Sequence, residues 1–168
     1  SNYRDFVFFS CKKSHSEREV EIGFVGRFTD TKGILTLVEA SKNLTDKYPN
    51  LRVRLVGDGP RYEEVAERTR ENERIELTGW IGREALPEHY NDIRFLFVPS
   101  AGEGLPTAVL EAMGCRTIVV TTPVGSLVDL IEDGHRGFFL NDNSGGTIEE
   151  TYDQIRQRED LNVIAANQ

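Results

Sequence analysis

Cysteine is nearly absent from this chain. The two present, Cys11 and Cys115, form no CxxC pair and cannot build a metal site on their own. Nothing supports a disulfide between them, so a reduced, cytoplasmic compartment is the expectation. Long apolar runs are also missing, and none approaches the roughly 20 residues of a membrane-spanning helix. The run Phe6-Val7-Phe8-Phe9 is too short for a signal-peptide core and follows Asp5 rather than a basic segment. Basic residues are in the minority: 20 Lys and Arg against 28 Asp and Glu give a formal net charge of -8. With no dense basic stripe to offset that balance, nucleic acid is excluded as the main partner. A small anion in a locally positive pocket is not excluded. The histidines His15, His89 and His135 lie far apart and show no metal spacing. Asn141-Asp142-Asn143 resembles the start of a calcium loop, but the glutamate required at the twelfth position is missing, so a turn is expected.

What is present is a globular pattern. A length of 168 residues suits one domain, and 38% hydrophobic with 29% charged residues describes a soluble, ordered chain. Short apolar runs alternate with amphipathic ones. Strands are expected at 20–25, 51–56, 74–78, 93–98 and 117–121, with a short edge strand at 138–140. The nearly all-apolar fourth run marks a central strand. Helices are expected at 33–47, 61–70, 83–90, 105–113, 127–131 and 148–158. This alternation predicts an α/β fold: a doubly wound parallel sheet with helices on both faces and right-handed crossovers. Such sheets bind ligands beyond the carboxyl ends of their strands. The loops of interest are therefore 26–32, 57–60, 79–83, 99–107 and 121–126. Residues 1–19 are expected to be an N-terminal segment, its polar part Cys11 to Glu19 a linker, and 20–168 the folded domain. The chain begins at Ser1 without Met, which points to a piece of something longer.

Several motifs fail. Gly57-Asp58-Gly59 after a strand invites a dinucleotide reading, but the third glycine of GxGxxG would fall at Tyr62. There is no GxxxxGK[ST] phosphate loop, no GxSxG nucleophile elbow and no DxD.

Two segments carry chemistry. In Gly26-Arg27-Phe28-Thr29-Asp30-Thr31-Lys32-Gly33 a pair of cations follows a strand and precedes a helix. Arg grips two oxygens at once and Lys adds a point charge, so together they suit a diphosphate. The bland alternative is a pair of solvated loop residues. In Ser100-Ala101-Gly102-Glu103-Gly104-Leu105-Pro106-Thr107 glycines flank an acid at a helix start. Backbone can approach a ligand closely there, and free N–H groups favour an anion. Glu103 in the loop and Glu111 within the helix suit sugar hydroxyls, which carboxylates accept in pairs. Their bland alternatives are a helix-dipole partner and a solvated helix face.

These residues resemble a known family. The stretch from about Val20 to Gln168 is similar to the C-terminal domain of the large retaining glycosyltransferase family 4, of GT-B fold. The resemblance rests on five segments in order: Gly26-Arg27-Phe28 to Lys32-Gly33, Val56 to Pro60, Leu77-Thr78-Gly79-Trp80-Ile81, Pro99-Ser100 to Met113, and Thr122-Pro123-Val124-Gly125. Glu103 and Glu111 keep the family's E-x7-E spacing. The family's Cys-Gly-x-Pro reads here Cys115-Arg116-Thr117-Ile118, its second glycine after Val124 is Ser126, and its following acid is Asp129 instead of Glu. These departures fall on a strand entry and a loop edge, away from the expected donor site.

The resemblance implies transfer of a hexosyl unit from a nucleotide-diphosphate sugar to an acceptor with retained configuration. It implies that Arg27 and Lys32 hold the diphosphate and Glu103 contacts the sugar, the three forming the catalytic set. Glu111 would take the ribose hydroxyls. Gly26, Asp58, Gly104, Leu105, Thr107 and Ala108 would complete the donor site, with Trp80 and Ile81 near the base. No metal or other cofactor is expected. The acceptor would be bound by an N-terminal domain missing from this chain, so the isolated piece would bind donor without turning over. Membrane association would come only through that domain, at a cytoplasmic face. A same-fold nucleotide-sugar epimerase and a non-catalytic binding module remain open at this point; a dehydrogenase is disfavoured by the failed glycine pattern.

Overall fold

The computed structural model describes residues 8–104 and 106–168. Among these, the apolar runs form strands β1 (Val20–Val25), β2 (Val53–Val56), β3 (Ile75–Gly79), β4 (Ile93–Val98), β5 (Ile118–Thr121) and β6 (Phe138–Phe139). The helices are α1 (Ile34–Lys47), α2 (Tyr62–Thr69), α3 (Leu86–Asp92), α4 (Thr107–Gly114), α5 (Leu127–Leu130), α6 (Gly145–Ile155) and α7 (Leu161–Ala166). The strands pair in parallel throughout, in the order β3-β2-β1-β4-β5-β6. The order reverses between β1 and β4, which places β4 centrally and β6 at an edge, as its composition predicts. No helix among the described residues is long and apolar enough to cross a membrane.

Alternation along the strands divides the core in two. Ile22, Phe24, Phe95 and Phe97 face one side, where Leu37, Leu44, Val65, Ile148 and Ile164 of α1, α2, α6 and α7 cover them. Leu96 and Val119 face the other, under Tyr90, Val109 and Leu127 of α3, α4 and α5. The central strand β4 carries apolar residues at both parities because both its faces are covered.

Two expectations need correction. The polar segment from Cys11 to Glu19 is packed against the sheet instead of forming a linker. It contains a 3-10 turn at His15–Glu17, and Arg18 is 1% exposed. The Arg18 guanidinium donates to the carbonyls of Lys13 (3.0 Å), Tyr90 (3.1 Å), Ile93 (3.0 Å) and Cys115 (2.6 Å), and to Thr117 Oγ1 (2.9 Å). Carbonyl dipoles thus replace water around a buried cation, and the segment is tied to the amino ends of β4 and β5. The second correction is α7, which follows the helix expected to be last. Cys11 and Cys115 are both free. Burial pushes the Cys115 thiol up to about 12, which keeps it protonated and inert.

Helix α4 ends where the sequence departs from the family pattern. Thr117 N–H donates to Ala112 O (2.9 Å) and Arg116 N–H to Met113 O (2.9 Å), the two bonds of a Schellman motif. Arg116 occupies the left-handed position at φ 57°, the one described non-glycine residue with positive φ. Glycine is favoured there because a Cβ crowds the following carbonyl by roughly 1–2 kcal/mol. Arg116→Gly should therefore raise stability by about 0.5–1 kcal/mol, the gain reduced by glycine's greater freedom in the unfolded chain. Urea unfolding checks this, and an unchanged or lower midpoint would refute it.

His15 gives a pH prediction. Burial, helped by the nearby cations Arg94 and Arg18, pushes its imidazole from 6.5 down to about 4. The ring packs edge-on against Phe95, and its Nδ1 is buried with no hydrogen-bond partner. Below 6.5 the unfolded chain takes up a proton that the folded one refuses until about 4. Stability contributed by neutral His15 is thus complete above 6.5 and is lost as pH falls towards 4. The loss is about 2–3 kcal/mol. A His15→Phe variant should lose this part of the acid slope in denaturant titrations run across that window; an unchanged slope would show that His15 does not titrate this way.

Candidate functional site

The strand order locates the site. The helices after β1 and β4 go to opposite faces, so the loops leaving these neighbours part and open a crevice at the carboxyl edge. The two segments that carry chemistry in the sequence are the loops that leave β1 and β4.

The β1 loop is held from below. Phe28 is fully buried, stacks on Tyr62 (5.8 Å between centroids) and exchanges main-chain bonds with Asp58 and Arg61, each 2.9 Å. With Phe28 turned inward, its neighbour Arg27 is exposed on the rim and makes no ion pair with any described residue. Further along, Asp30 receives both ends of the Arg61 guanidinium at 2.8 and 2.7 Å, which holds its carboxyl below the usual range. Gly33 closes the loop at φ 74°, and a Cβ there would stand 2.2 Å from Pro99 O. The start of α1 can therefore sit directly against the end of β4.

The β4 loop meets it. Ala101 N–H donates to Thr31 O at 2.8 Å. Lys32 Nζ lies 2.6 Å from Glu103 Oε1, and Ser100 Oγ donates to Glu103 Oε2 at 3.1 Å. The Glu103 side chain is 6% exposed and that of Lys32 32%. The β5 loop supports Glu103 from behind: Thr122 Oγ1 donates to Ser100 O at 2.5 Å, and Gly125 packs against Glu103 O. Gly104, Thr107 and Ala108 lie at the start of α4, where no side chain caps the helix. Leu105, expected in the donor site, lies outside the described residues.

Glu111 projects from α4 towards α3. Tyr90, fully buried, donates its hydroxyl to Glu111 Oε1 at 3.3 Å, and Arg83 Nε approaches Oε2 at 3.8 Å. Burial, with the Glu111 charge beside it, pushes the Tyr90 phenol well above its ordinary value, so it stays a donor. Arg83 also lies over the rings of Phe8 and Phe9 at 5.4 and 5.1 Å. Neither Arg83 nor Tyr90 was singled out from the sequence. Arg83 lies two residues after Ile81 of the Trp80-Ile81 segment, which was the available signal.

The remaining expected residues line a neighbouring cleft of about 700 Å³ above β1, β2 and β3, among them Gly26, Arg27, Asp58, Trp80 and Ile81. Trp80 is 77% exposed on its rim. The Asp58 carboxylate accepts from Gly59 N–H at 2.7 Å and so shapes its own turn. The expected residues therefore fall into separate groups: those of the 700 Å³ cleft, the Lys32–Glu103 pair, and Glu111 with Tyr90 and Arg83. Arg27 belongs to the loop that joins the first two. Among the described residues no group of three His, Cys, Asp or Glu side chains could hold a metal ion.

Comparison with known proteins follows this geometry. The model of the family described as glycosyl transferases group 1 matches residues 19–157. The chain belongs to this family. It is 29% identical over 150 residues to an uncharacterized glycosyltransferase of Methanocaldococcus jannaschii, covering 88% of this chain and 41% of that protein. In fold it is similar to the C-terminal domain of a group 1 glycosyl transferase from Francisella tularensis, with TM-score 0.84, 24% identity and coverage of 97% of this chain and 93% of that one. The HepE protein of Anabaena, solved in complex with UDP-glucose, aligns with TM-score 0.77 and 20% identity, over 99% of this chain and 47% of its own. The chain thus spans about two fifths of the M. jannaschii relative.

Gly125 sits at φ 55°, and a Cβ there would stand 2.3 Å from Glu103 O. Gly125→Ala should cost about 1–3 kcal/mol through backbone strain and displacement of the Glu103 loop. Denaturant unfolding measures it; wild-type stability would mean that the β5 loop does not brace Glu103.

Proposed function

We propose that this chain is the donor-binding part of a glycosyltransferase that takes a hexosyl unit from a nucleotide-diphosphate sugar. The observation that carries the reading is the Lys32–Glu103 contact of 2.6 Å across the reversal point of the sheet. It brings a cation and a carboxylate 71 positions apart to the place where open α/β sheets bind ligands. In this reading Arg27 and Lys32 take the diphosphate, with the uncapped start of α4 adding N–H donors. Glu103 meets the sugar, Glu111 the ribose, and the cleft bordered by Trp80 and Ile81 the base. HepE binding UDP-glucose on a similar fold supports the ligand class.

The chemistry breaks the bond between the anomeric carbon and the diphosphate oxygen, whose electron pair stays on the diphosphate. An acceptor oxygen bonds to that carbon, with configuration retained, and its proton passes to the released diphosphate. Arg27 and Lys32 stabilise the charge that grows on the leaving group, a role that fixed cations fill without a metal. The acceptor is held by a further domain, so this chain alone binds donor and does not turn it over. We place the reaction in the cytoplasm, with any membrane contact made by that further domain.

Titration of UDP, GDP and ADP into the folded domain, with and without chelator, tests the reading. One of them should bind in the presence of chelator. Arg27→Ala and Lys32→Ala should each weaken it roughly tenfold to a hundredfold, the size of one lost charge-assisted contact. Glu111→Ala should weaken the nucleotide and spare inorganic diphosphate. Strict dependence on magnesium or manganese, or wild-type affinity in both cation variants, would overturn the assignment.

A further inference from the structure

The Lys32–Glu103 pair has an effect on product as well as donor. We propose that Glu103 makes the site favour the sugar-bearing donor over the released nucleoside diphosphate, by charge, so that product is expelled. The proposal rests on the assignment of the diphosphate to Arg27 and Lys32.

The structure puts a carboxylate where an anion is to bind. Glu103 is 6% exposed and already holds Lys32 at 2.6 Å, while Ser100 Oγ fixes its second oxygen at 3.1 Å. The main chain of the same residue is braced from the β5 side, where Gly125 packs against Glu103 O. This carboxylate cannot swing away into water as an exposed one would. A diphosphate that reaches Lys32 therefore comes within range of a fixed negative charge, screened little by solvent.

The penalty differs between donor and product. In the donor the terminal phosphate is esterified by the sugar and carries one charge. In the free nucleoside diphosphate that phosphate regains an ionisation with pKa about 6, so near neutral pH it carries close to one charge more. One unit charge within about 8 Å, at an effective dielectric of about 20, is worth tenfold or more in affinity. The donor also presents hydroxyls that Glu103 can accept, which offset the repulsion. The product presents none. The same carboxylate is thus attractive to the substrate and repulsive to what remains after transfer, and product release is the rate-limiting step of many enzymes.

Glu103→Gln is the test, because Gln keeps the length, accepts from Lys32 through its one oxygen and removes the charge, while its amide donates to Ser100 Oγ in place of accepting from it. Affinities for the nucleoside diphosphate and for its sugar donor are measured by calorimetry on wild type and variant. The nucleoside diphosphate should bind the variant about tenfold more tightly or better and the donor equally or less tightly, so the preference for donor should fall at least tenfold. An unchanged or weakened nucleoside diphosphate, or equal tightening of both ligands, would overturn the proposal. Lys32→Ala, titrated alongside, separates the two levels. If it weakens the nucleoside diphosphate while Glu103→Gln does not strengthen it, only this inference falls. If Lys32→Ala has no effect, the diphosphate assignment falls with it.

Discussion

The parting of two adjacent strands governs everything at the carboxyl edge. β1 and β4 pair side by side, yet α1 packs on one face of the sheet and α4 on the other. Their connecting loops must diverge, and a crevice is the geometric result of that divergence. The loops do not simply hang over it. Ala101 N–H bonds to Thr31 O, Gly33 lets α1 abut Pro99, and Lys32 meets Glu103. Each contact joins the β1 loop to the β4 loop, so the crevice has two walls fixed to each other as well as to the sheet.

The opposite edge is organised by a different kind of polar contact. Arg18 is buried with carbonyls in place of a counter-ion, and the groups it reaches lie at the end of α3, on β4 and just ahead of β5. Thr117, one of its acceptors, donates in turn to Tyr90 O at 2.7 Å. Tyr90 then runs through the core of the second face and donates its hydroxyl to Glu111. A chain of polar contacts therefore spans the α3–α4 side of the sheet, from the buried guanidinium to the carboxylate expected to read the ribose. Phe9 belongs to the same structure, its ring 5.9 Å from Tyr90 and close under Arg83. The amino-terminal segment thus buttresses the side of the site formed by α3 and α4.

The sequence made the sheet legible because strands covered on both faces are continuous apolar runs. β1 and β4 begin and end where their composition changes, and the other strands differ by a residue or two. The segment 11–19 misled because its letters are polar, and a buried arginine satisfied by carbonyls is invisible to any reading that equates polarity with exposure. Helix α7 escaped because six residues are too few for a helical period to stand out. At the site, the family's motifs marked Arg27, Lys32, Glu103 and Glu111 individually. Their arrangement was not legible: nothing local tells Lys32 that Glu103, 71 positions away, is its partner. Tyr90 and Arg83 were missed for a related reason, since their link to the site is a contact with Glu111 of α4, distant in sequence.

The two cations of the β1 loop are prepared differently, and this follows from backbone alternation. Phe28 turns inward, so Arg27 faces solvent with no ionic partner among the described residues. Lys32, at the end of the loop, is drawn onto the carboxylate of the β4 loop. Lys32 and Glu103 thus offset each other's charge, while Arg27 has no such partner among the described residues. In the proposed assignment, and in a chain of formal charge -8, this exposed guanidinium would give an approaching anion an attractive contact. In the same assignment Lys32 would act at shorter range, sharing its ammonium donors between a phosphate and Glu103. The proposed assignment therefore puts affinity and discrimination on different residues: the unpaired Arg27 would attract anions broadly, while the Lys32–Glu103 pair would respond to what is attached to them.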